Sequence, residues 1–393
     1  MSSPRRSLFS GLTMTLAVGA TVMVSACAPP SSSSSSSSSA ASAGGGAAGT
    51  SSAPAADAKT AKSAADLGGM DALAAAAKAE GTLNVIALPK DWANYGAVMD
   101  AFTKKYGVAI NSSQPDISSQ EEINAIKNNK GTDRAPDVVD VGMAVAWANT
   151  DQFAPYQVAT WKDIPDSQKE ATGLWFQDYG GYMAIGYDSA KVPAITGVKD
   201  LLKPEFKGKV ALYGDPTKSN TALNAVMLAS LANGGSIDDI SKGVDFFKQL
   251  KAAGNFVPVQ AKSATIKNGT TPVVFNWDYL ATTSVKDVPT WKVLLPSDFS
   301  LGGYYAQAIN KEAPHPAAAR LWEEFLFSDE GQNLWLNGGA RPVRQAAMTT
   351  AGTIDAAAAA KLPKVVAQPV LMDEKQAGAA NAAVLASWAK AIG

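Results

Sequence analysis

Cysteine and histidine are almost absent from this sequence. Its 393 residues contain one cysteine, Cys27, and one histidine, His315. A disulfide needs two cysteines, so the folded part must take its stability from its apolar core. Zinc and copper sites usually need several cysteine or histidine ligands, so the sequence predicts no such metal site and no cofactor. Catalysis by a serine, histidine and aspartate would have to use His315, which lies between Pro314 and Pro316 in a segment typical of an exposed helix start.

The sequence also lacks an excess of charge and the common catalytic motifs. It has 34 Lys and Arg against 35 Asp and Glu, for a formal net charge of -1. A nucleic-acid-binding protein would be basic, so no nucleic-acid partner is predicted. No phosphate-binding loop, no Gly-x-Ser-x-Gly and no Gly-x-Gly-x-x-Gly occurs. The sequence therefore favours a protein that is not an enzyme.

The first 26 residues have the layout of a lipoprotein signal peptide. Arg5-Arg6 precede a mostly apolar stretch, 8–24, and Val24-Ser25-Ala26-Cys27 follows. Small side chains before a cysteine suit the lipoprotein peptidase, and the thiol of Cys27 would carry the lipid. The alternatives are a plain signal peptide with a chance cysteine and, because of the arginine pair, export by the twin-arginine route.

Residues 27–65 are rich in Ser, Ala and Gly, and 31–39 is an unbroken serine run. Such a composition cannot bury a core, so this segment is predicted to be a flexible tether behind the lipid. More than 300 residues remain from residue 66 onward, which exceeds one ordinary core and predicts two lobes.

Strands and helices alternate along this region. A strand at 82–88, a helix with Val98, Phe102 and Tyr106 on one face, and a buried strand at 137–141 predict a β-α-β-α-β unit with a parallel sheet. A second α/β unit follows. The pattern then predicts one long helix over 316–336 and a helical C-terminal tail that packs on the first lobe.

Several segments resemble one family, the extracellular solute-binding proteins of ABC importers, and within it the group of spermidine/putrescine, ferric-ion and organophosphonate binders. The segments are 81–85, 137–140, 202–210, 303–311 and, most specifically, 318–326 with 328–332.

The resemblance implies an α/β fold of the two-lobed type II periplasmic-binding-protein class, each lobe a mostly parallel sheet flanked by helices. It implies lobe 1 from 66–180 plus 303–393, lobe 2 from 181–302, and two hinge strands near 179–187 and 296–305. It also implies a small-molecule solute, an ABC permease and its ATPase as partners, and a monomer. With Cys27, the expected location is the extracytoplasmic face of the cell membrane, with the lipid as the only membrane contact.

Ligands of open α/β sheets collect at the carboxyl ends of strands, and this rule selects the candidate ligand-binding residues. They are Trp92, Asn94 and Tyr95 after the first strand, Gly142 after the third, Asp215, Thr217, Ser219, Asn220 and Thr221 before a helix, Trp277 and Asp278 after a strand, and Tyr304 and Tyr305 where the chain returns to lobe 1.

Each place also has a structural interpretation. Trp92 and Trp277 could pack in the core, Gly142 could form a tight turn, Ser219 could cap a helix, and Asp278 could cap the helix that follows. If Tyr304 and Tyr305 lie in a strand they point to opposite faces, so they could not both bind one ferric ion.

The leading hypothesis is a small amine-bearing, polyamine-like solute. In it the indoles of Trp92 and Trp277 attract the ammonium group and Asp278 pairs with it. An aminophosphonate or another small anion at 219–221 is the runner-up, and ferric ion ranks third. An exported lipoprotein hydrolase stays as an alternative outside the family.

Overall fold

The computed structural model describes residues 57–364 and 369–393. The predicted signal peptide and Cys27 lie outside the described residues, as does most of the predicted tether. Its last part, 57–65, is instead built into the folded body. Ala61 is 1% exposed, and Arg320 Nε donates a hydrogen bond to its carbonyl oxygen (2.9 Å). The tether prediction extends too far because alanines, which give no apolar signal, pack beneath a helix here.

Eleven strands occur within the described residues. They are β1 (Thr82–Ile86), β2 (Ala109–Ser113), β3 (Val138–Gly142), β4 (Phe153–Ala154), β5 (Phe176–Asp188), β6 (Val210–Leu212), β7 (Val273–Trp277), β8 (Trp291–Leu294), β9 (Ser300–Asn310), β10 (Arg341–Pro342) and β11 (Pro369–Val370).

Thirteen α-helices occur within the same residues. They are α1 (Met70–Glu80), α2 (Tyr95–Tyr106), α3 (Ser119–Asn128), α4 (Met143–Ala148), α5 (Asn220–Ala232), α6 (Ser241–Ala252), α7 (Ser263–Lys267), α8 (Asp278–Thr283), α9 (Pro316–Leu326), α10 (Asp329–Asn337), α11 (Gln345–Ala351), α12 (Ala356–Ala359) and α13 (Glu374–Ile392). No helix in the described part of the chain is long and apolar enough to cross a bilayer.

The predicted long helix over 316–336 is wrong, because it is two helices. Ser328 interrupts it with an extended backbone (ψ 162°) and caps α10 by accepting a hydrogen bond from the N–H of Gly331 (3.2 Å). A serine that caps a new helix satisfies N–H groups which a continuous helix would have bonded internally. The apolar periodicity continues through the break and hides it.

Two long strands, β5 and β9, connect the two lobes. β5 pairs with β9 up to Tyr182 and with β7 from Met183 onward, so this strand joins the two halves of a nine-stranded sheet. β9 in turn pairs with β3. The two-lobed fold with a two-strand hinge is therefore confirmed, and β5 changes partner inside the predicted hinge segment. The numerical lobe boundaries stay a prediction.

The strand pairs include more antiparallel ones than the prediction of mostly parallel sheets implies. β1 with β2, β6 with β7 and β11 with β9 are parallel pairs. The other pairs are antiparallel. They join β9 to β3, β4 and β5, and they join β5 to β7, β8 and β10. The β-α-β pattern reports only on strands adjacent in sequence, whereas both long strands recruit partners from far along the chain.

The C-terminal helix α13 packs mainly on the second α/β unit, not on the first as predicted. Trp388 is 7% exposed and lies against Phe247 of α6 (ring centroids 5.5 Å apart) and Phe256 (6.4 Å). Gln376 also donates to Asp238 (2.8 Å). The aromatic partners of Trp388 lie more than a hundred residues away in sequence, so periodicity within the tail could not locate them.

Candidate functional site

A cleft of about 250 Å³ opens where the loops after β1, β2 and β6 meet beside β3. This is the position at the carboxyl ends of strands where α/β proteins bind ligands. Of the predicted site residues it is lined by Trp92, Asp215, Ser219, Asn220, Thr221 and Tyr305.

Asp140, the middle residue of β3, lines the same cleft. The side chain is 7% exposed, and its Oδ2 accepts hydrogen bonds from the hydroxyls of Tyr95 (2.8 Å) and Tyr179 (2.9 Å). Its Oδ1 has no hydrogen-bond partner within the described residues. A buried carboxylate oxygen without a donor is costly. Both oxygens of Glu323 also have no partner within the described residues, but Glu323 does not line the cleft, so Asp140 Oδ1 is the acceptor placed for an incoming N–H group.

Burial raises the pKa of Asp140 and of the acids near it. Burial raises the pKa of Asp140 to about 7, against the opposing effect of the two tyrosine hydroxyls. Glu122, Asp178 and Glu323 are each no more than 2% exposed, and burial followed by repulsion from Asp140 raises the pKa of each well above its usual range. Like charges in a dry site cannot all ionise, so negative charge in this cluster concentrates on Asp140.

Aromatic rings wall the cleft around Trp92, which is half-buried. The indole meets Tyr213 (centroids 5.7 Å apart), Tyr305 (5.8 Å) and Tyr279 (6.4 Å), each edge to face. Its Nε1 donates to the hydroxyl of Tyr179 (2.7 Å). Ring faces close to a carboxylate form a favourable environment for an organic cation.

The N-terminus of α5 forms the opposite side. Ser219 caps this helix by accepting from the N–H of Ala222 (3.3 Å), as one of the two interpretations predicted. Asp215 accepts from both the N–H and the hydroxyl of Thr217 (2.9 and 2.8 Å), and Thr217 itself does not line the cleft. Asn220 bonds within α5, through its Oδ1, to Asn224 (3.1 Å).

Contacts across the cleft hold its two sides together. Lys262 forms an ion pair with Asp116 (3.2 Å), and the hydroxyls of Thr221 and Tyr305 lie 3.0 Å apart. Gly142 packs so closely that a Cβ there would lie 2.3 Å from the Cβ of Asn220. The absence of a side chain at Gly142 therefore allows two protein segments to pack closely in this structure.

Trp277 and Asp278 lie beneath the cleft, and neither lines it. Trp277 is fully buried, and its Nε1 donates to Thr221 (3.1 Å). Asp278 is also fully buried: its Oδ2 pairs with Arg341 (2.7 Å), and its Oδ1 accepts from the N–H groups of Tyr182 and Tyr279 (2.9 and 3.0 Å).

The prediction that Asp278 binds the amine is therefore corrected. Arg341 already neutralises this carboxylate, and both of its oxygens have hydrogen-bond donors. For Trp277, the structure agrees with the alternative that its side chain packs in the core.

The remaining predicted residues support the cleft from behind. Tyr95 is fully buried under Asp140, and the Nδ2 of Asn94 donates to the carbonyl of Leu334 (2.8 Å). Tyr305 faces the cleft, whereas Tyr304 packs on the other face of β9 against Gly180. The expected opposite orientation of the two tyrosines agrees with the pleat of β9.

Sequence reasoning missed Asp140, Tyr213, Lys218 and Lys262. The signal for Asp140 was present: a single acid inside the apolar run 138–141, at the carboxyl end of a predicted buried strand. A buried strand accepts a carboxylate only where something pairs with it. Within the described residues no group of three or more His, Cys, Asp or Glu side chains has a metal-binding arrangement.

A family model of bacterial extracellular solute-binding proteins matches residues 135–363, more than half of the sequence. The chain belongs to this family. It is therefore a solute-binding protein that works outside the cytoplasmic membrane, with a small-molecule ligand and an ABC transporter as its partners. No curated protein sequence matches the chain.

Solved structures share its fold at low sequence identity. The periplasmic binding protein AgtB from A. tumefaciens R10, in complex with agropinic acid, is 17% identical with a TM-score of 0.63, over 79% of this chain and 98% of that one. Iron-bound HitA from Pseudomonas aeruginosa is 19% identical (TM-score 0.59; 79% and 99% covered). A putative spermidine/putrescine ABC transporter protein from Listeria monocytogenes is 12% identical (TM-score 0.59; 79% and 98% covered). These likenesses concern the fold alone.

Proposed function

We propose that this solute-binding protein captures a small amine-bearing solute in the cleft and delivers it to its ABC permease. The observation that carries the proposal is the unpartnered Oδ1 of Asp140, a buried carboxylate oxygen beside a wall of aromatic rings. An ammonium group has N–H donors for this oxygen and a positive charge for the rings. The solute class is the one the sequence predicts, but the anchoring carboxylate is Asp140 in place of Asp278.

The charges of the cleft favour a cation. Asp116, Glu121, Asp140 and Asp215 line it with two lysines, Lys218 and Lys262, while Glu122, which also lines it, has a raised pKa that favours its neutral form. Asp116 is neutralised by Lys262, and Glu121 accepts from the N–H and hydroxyl of Ser118 (both 2.8 Å). Asp140 is the buried carboxylate left for the solute.

A second candidate is a zwitterion such as an aminophosphonate. Its amine would bind Asp140, and its anionic group would bind the N-terminus of α5 near Lys218, both of which line the same cleft. Free N–H groups and the helix dipole favour an anion there. A diamine and a zwitterion thus differ only in what they place near Asn220.

Lipid anchoring through Cys27 and action as a monomer belong to the same proposal. A lipid with a long polar tether would keep the receptor at high local concentration beside its permease while leaving it free to open, close and dock. Metabolic labelling with a radioactive fatty acid tests the anchor, and a Cys27→Ala variant that is still labelled would refute it.

Isothermal titration tests the solute. We expect the wild type to bind at least one of putrescine, spermidine and 2-aminoethylphosphonate, and Asp140→Asn to weaken that binding by about tenfold or more, since a charge-assisted hydrogen bond contributes about 1.5–3 kcal/mol. Glu121→Gln, also in the cleft, is the matched control and should change affinity little. Equal amine binding by wild type and Asp140→Asn would contradict the proposal.

A further inference from the structure

A second cavity lies directly behind the cleft. It has a volume of about 360 Å³, and both Trp92 and Tyr213 line the two spaces. These two rings, 5.7 Å apart, therefore form the partition between them. Tyr213 follows strand β6, whereas Trp92 lies in the loop between β1 and α2.

The loop that carries Trp92 has an unfavourable backbone. Ala87, Ala93 and Asn94 have positive φ angles of 57°, 44° and 69°, and they account for three of the four positive-φ residues other than glycine in the described chain. An alanine in this region costs free energy, and such residues persist only where surrounding contacts hold them. The contacts of the Trp92 indole, including its hydrogen bond to Tyr179, are of this kind.

The second cavity has walls suited to the far end of a longer solute. Ile266, Leu280 and Leu336 give it apolar surface for an alkyl chain. Asn276 is 2% exposed and lines it; its Oδ1 accepts from the N–H of Trp277 (2.9 Å), and its Nδ2 donates no hydrogen bond within the described residues. A free amide donor in a cavity with apolar walls favours an acceptor group, such as a carboxylate or carbonyl oxygen.

We propose that Trp92 is a movable partition that sets the length of solute the protein accepts, and that the second cavity is a subsite for the acceptor-bearing end of longer solutes. The inference rests on the proposed function, since the amine end stays at Asp140. With Trp92 in place, the site takes solutes that fit the front cleft alone. With Trp92 displaced, the two cavities join and a longer chain reaches Asn276.

A chain-length series tests the partition. Two sets of ligands are titrated calorimetrically, α,ω-diamines from propanediamine to octanediamine and the ω-amino acids of matching length, against wild type, Trp92→Phe and Trp92→Ala. We expect Trp92→Ala to shift the preferred length upward in both sets, with about a fourfold gain in affinity for each additional methylene that becomes buried. Trp147→Ala is the control, because Trp147 packs against Trp175 outside both cavities. An unchanged length preference in Trp92→Ala and in Trp92→Phe would overturn the proposal.

A charge exchange tests the chemistry of the subsite. Asn276→Asp keeps the acceptor for the N–H of Trp277 but replaces the Nδ2 donor by an oxygen. In the Trp92→Ala background we expect the long ω-amino acids to bind more tightly than the long diamines, and Asn276→Asp to reverse that order. The same order before and after the exchange would refute the role of Asn276.

Indole itself separates failure of this inference from failure of the proposed function. A side chain removed from a partition leaves a space of its own shape, so indole should raise the melting temperature of Trp92→Ala and leave that of the wild type unchanged. If no amine binds but indole rescue occurs, the solute class is wrong and the partition stands. If amines bind while indole has no effect and the length preference stays fixed, the partition is wrong.

Discussion

Amine binding should depend on pH through Asp140. Burial raises its pKa to about 7, and the ammonium group needs the ionised carboxylate. At pH 8 about 90% of the carboxylate is ionised, and at pH 6 about 10%. The amine ligand, whose own pKa is near 10, stays protonated throughout. Affinity should therefore fall about tenfold between pH 8 and pH 6, and by about another tenfold for each further pH unit.

The same pKa determines how many protons are released when the amine binds. Binding selects the ionised form, so at pH 6 each bound amine should release close to one proton from Asp140, and at pH 8 almost none. Titration calorimetry at both pH values, in two buffers of different ionisation enthalpy, measures both the affinity and the proton count. Asp140→Asn should bind more weakly at pH 8 and show no pH dependence over this range. A flat affinity profile for the wild type, or a slope that survives in Asp140→Asn, would refute the reasoning.

Four further predictions concern the residues around the cleft. Between pH 4 and 7 the folded state holds a proton on Asp140 that the unfolded state has lost, so stability should fall with rising pH in this range and fall less in Asp140→Asn, as thermal melts in a pH series would reveal. Arg341→Met should lower the free energy of unfolding by about 3–5 kcal/mol because it leaves Asp278 buried without its partner, and Asp278→Asn in the same chain should recover part of the loss in urea titrations. Trp277→Ala should cost about 3–5 kcal/mol of stability as a core truncation, with Trp277→Phe milder; a stable Trp277→Ala that has lost only solute affinity would contradict the core placement. Asp116→Asn removes an exposed ion pair worth about 0–1 kcal/mol, so it should change solute affinity less than about fivefold, and a larger loss would show that the pair controls closure.

The sequence predicts the architecture well because its signals are local. Strand β3 is visible in the sequence as an apolar run, and the alanine-rich helix α1 ends where Gly81 follows it. The pairing of β3 with β9 and the break at Ser328 are not local, since a strand partner far along the chain leaves no trace in periodicity.

The site residues that the sequence could predict are likewise those with a local signal. Ser219, Asn220 and Thr221 lie at the cleft because a loop that leads from a strand into a helix is placed there by the fold. Asp278 was misassigned because its partner Arg341 lies 63 residues away, and no pattern around Asp278 reveals that the carboxylate is already paired. Asp140 was overlooked because its importance depends on which of its two oxygens has a donor, a fact of three-dimensional packing.

The most direct test of the account is a crystal structure of the protein with its tightest-binding amine. The account predicts the ammonium nitrogen within hydrogen-bond distance of Asp140 Oδ1, about 2.7–3.2 Å, with Trp92 and Tyr305 beside it. A nitrogen bound at Asp278 in place of Arg341, or a solute outside the space that Asp140 lines, would contradict it.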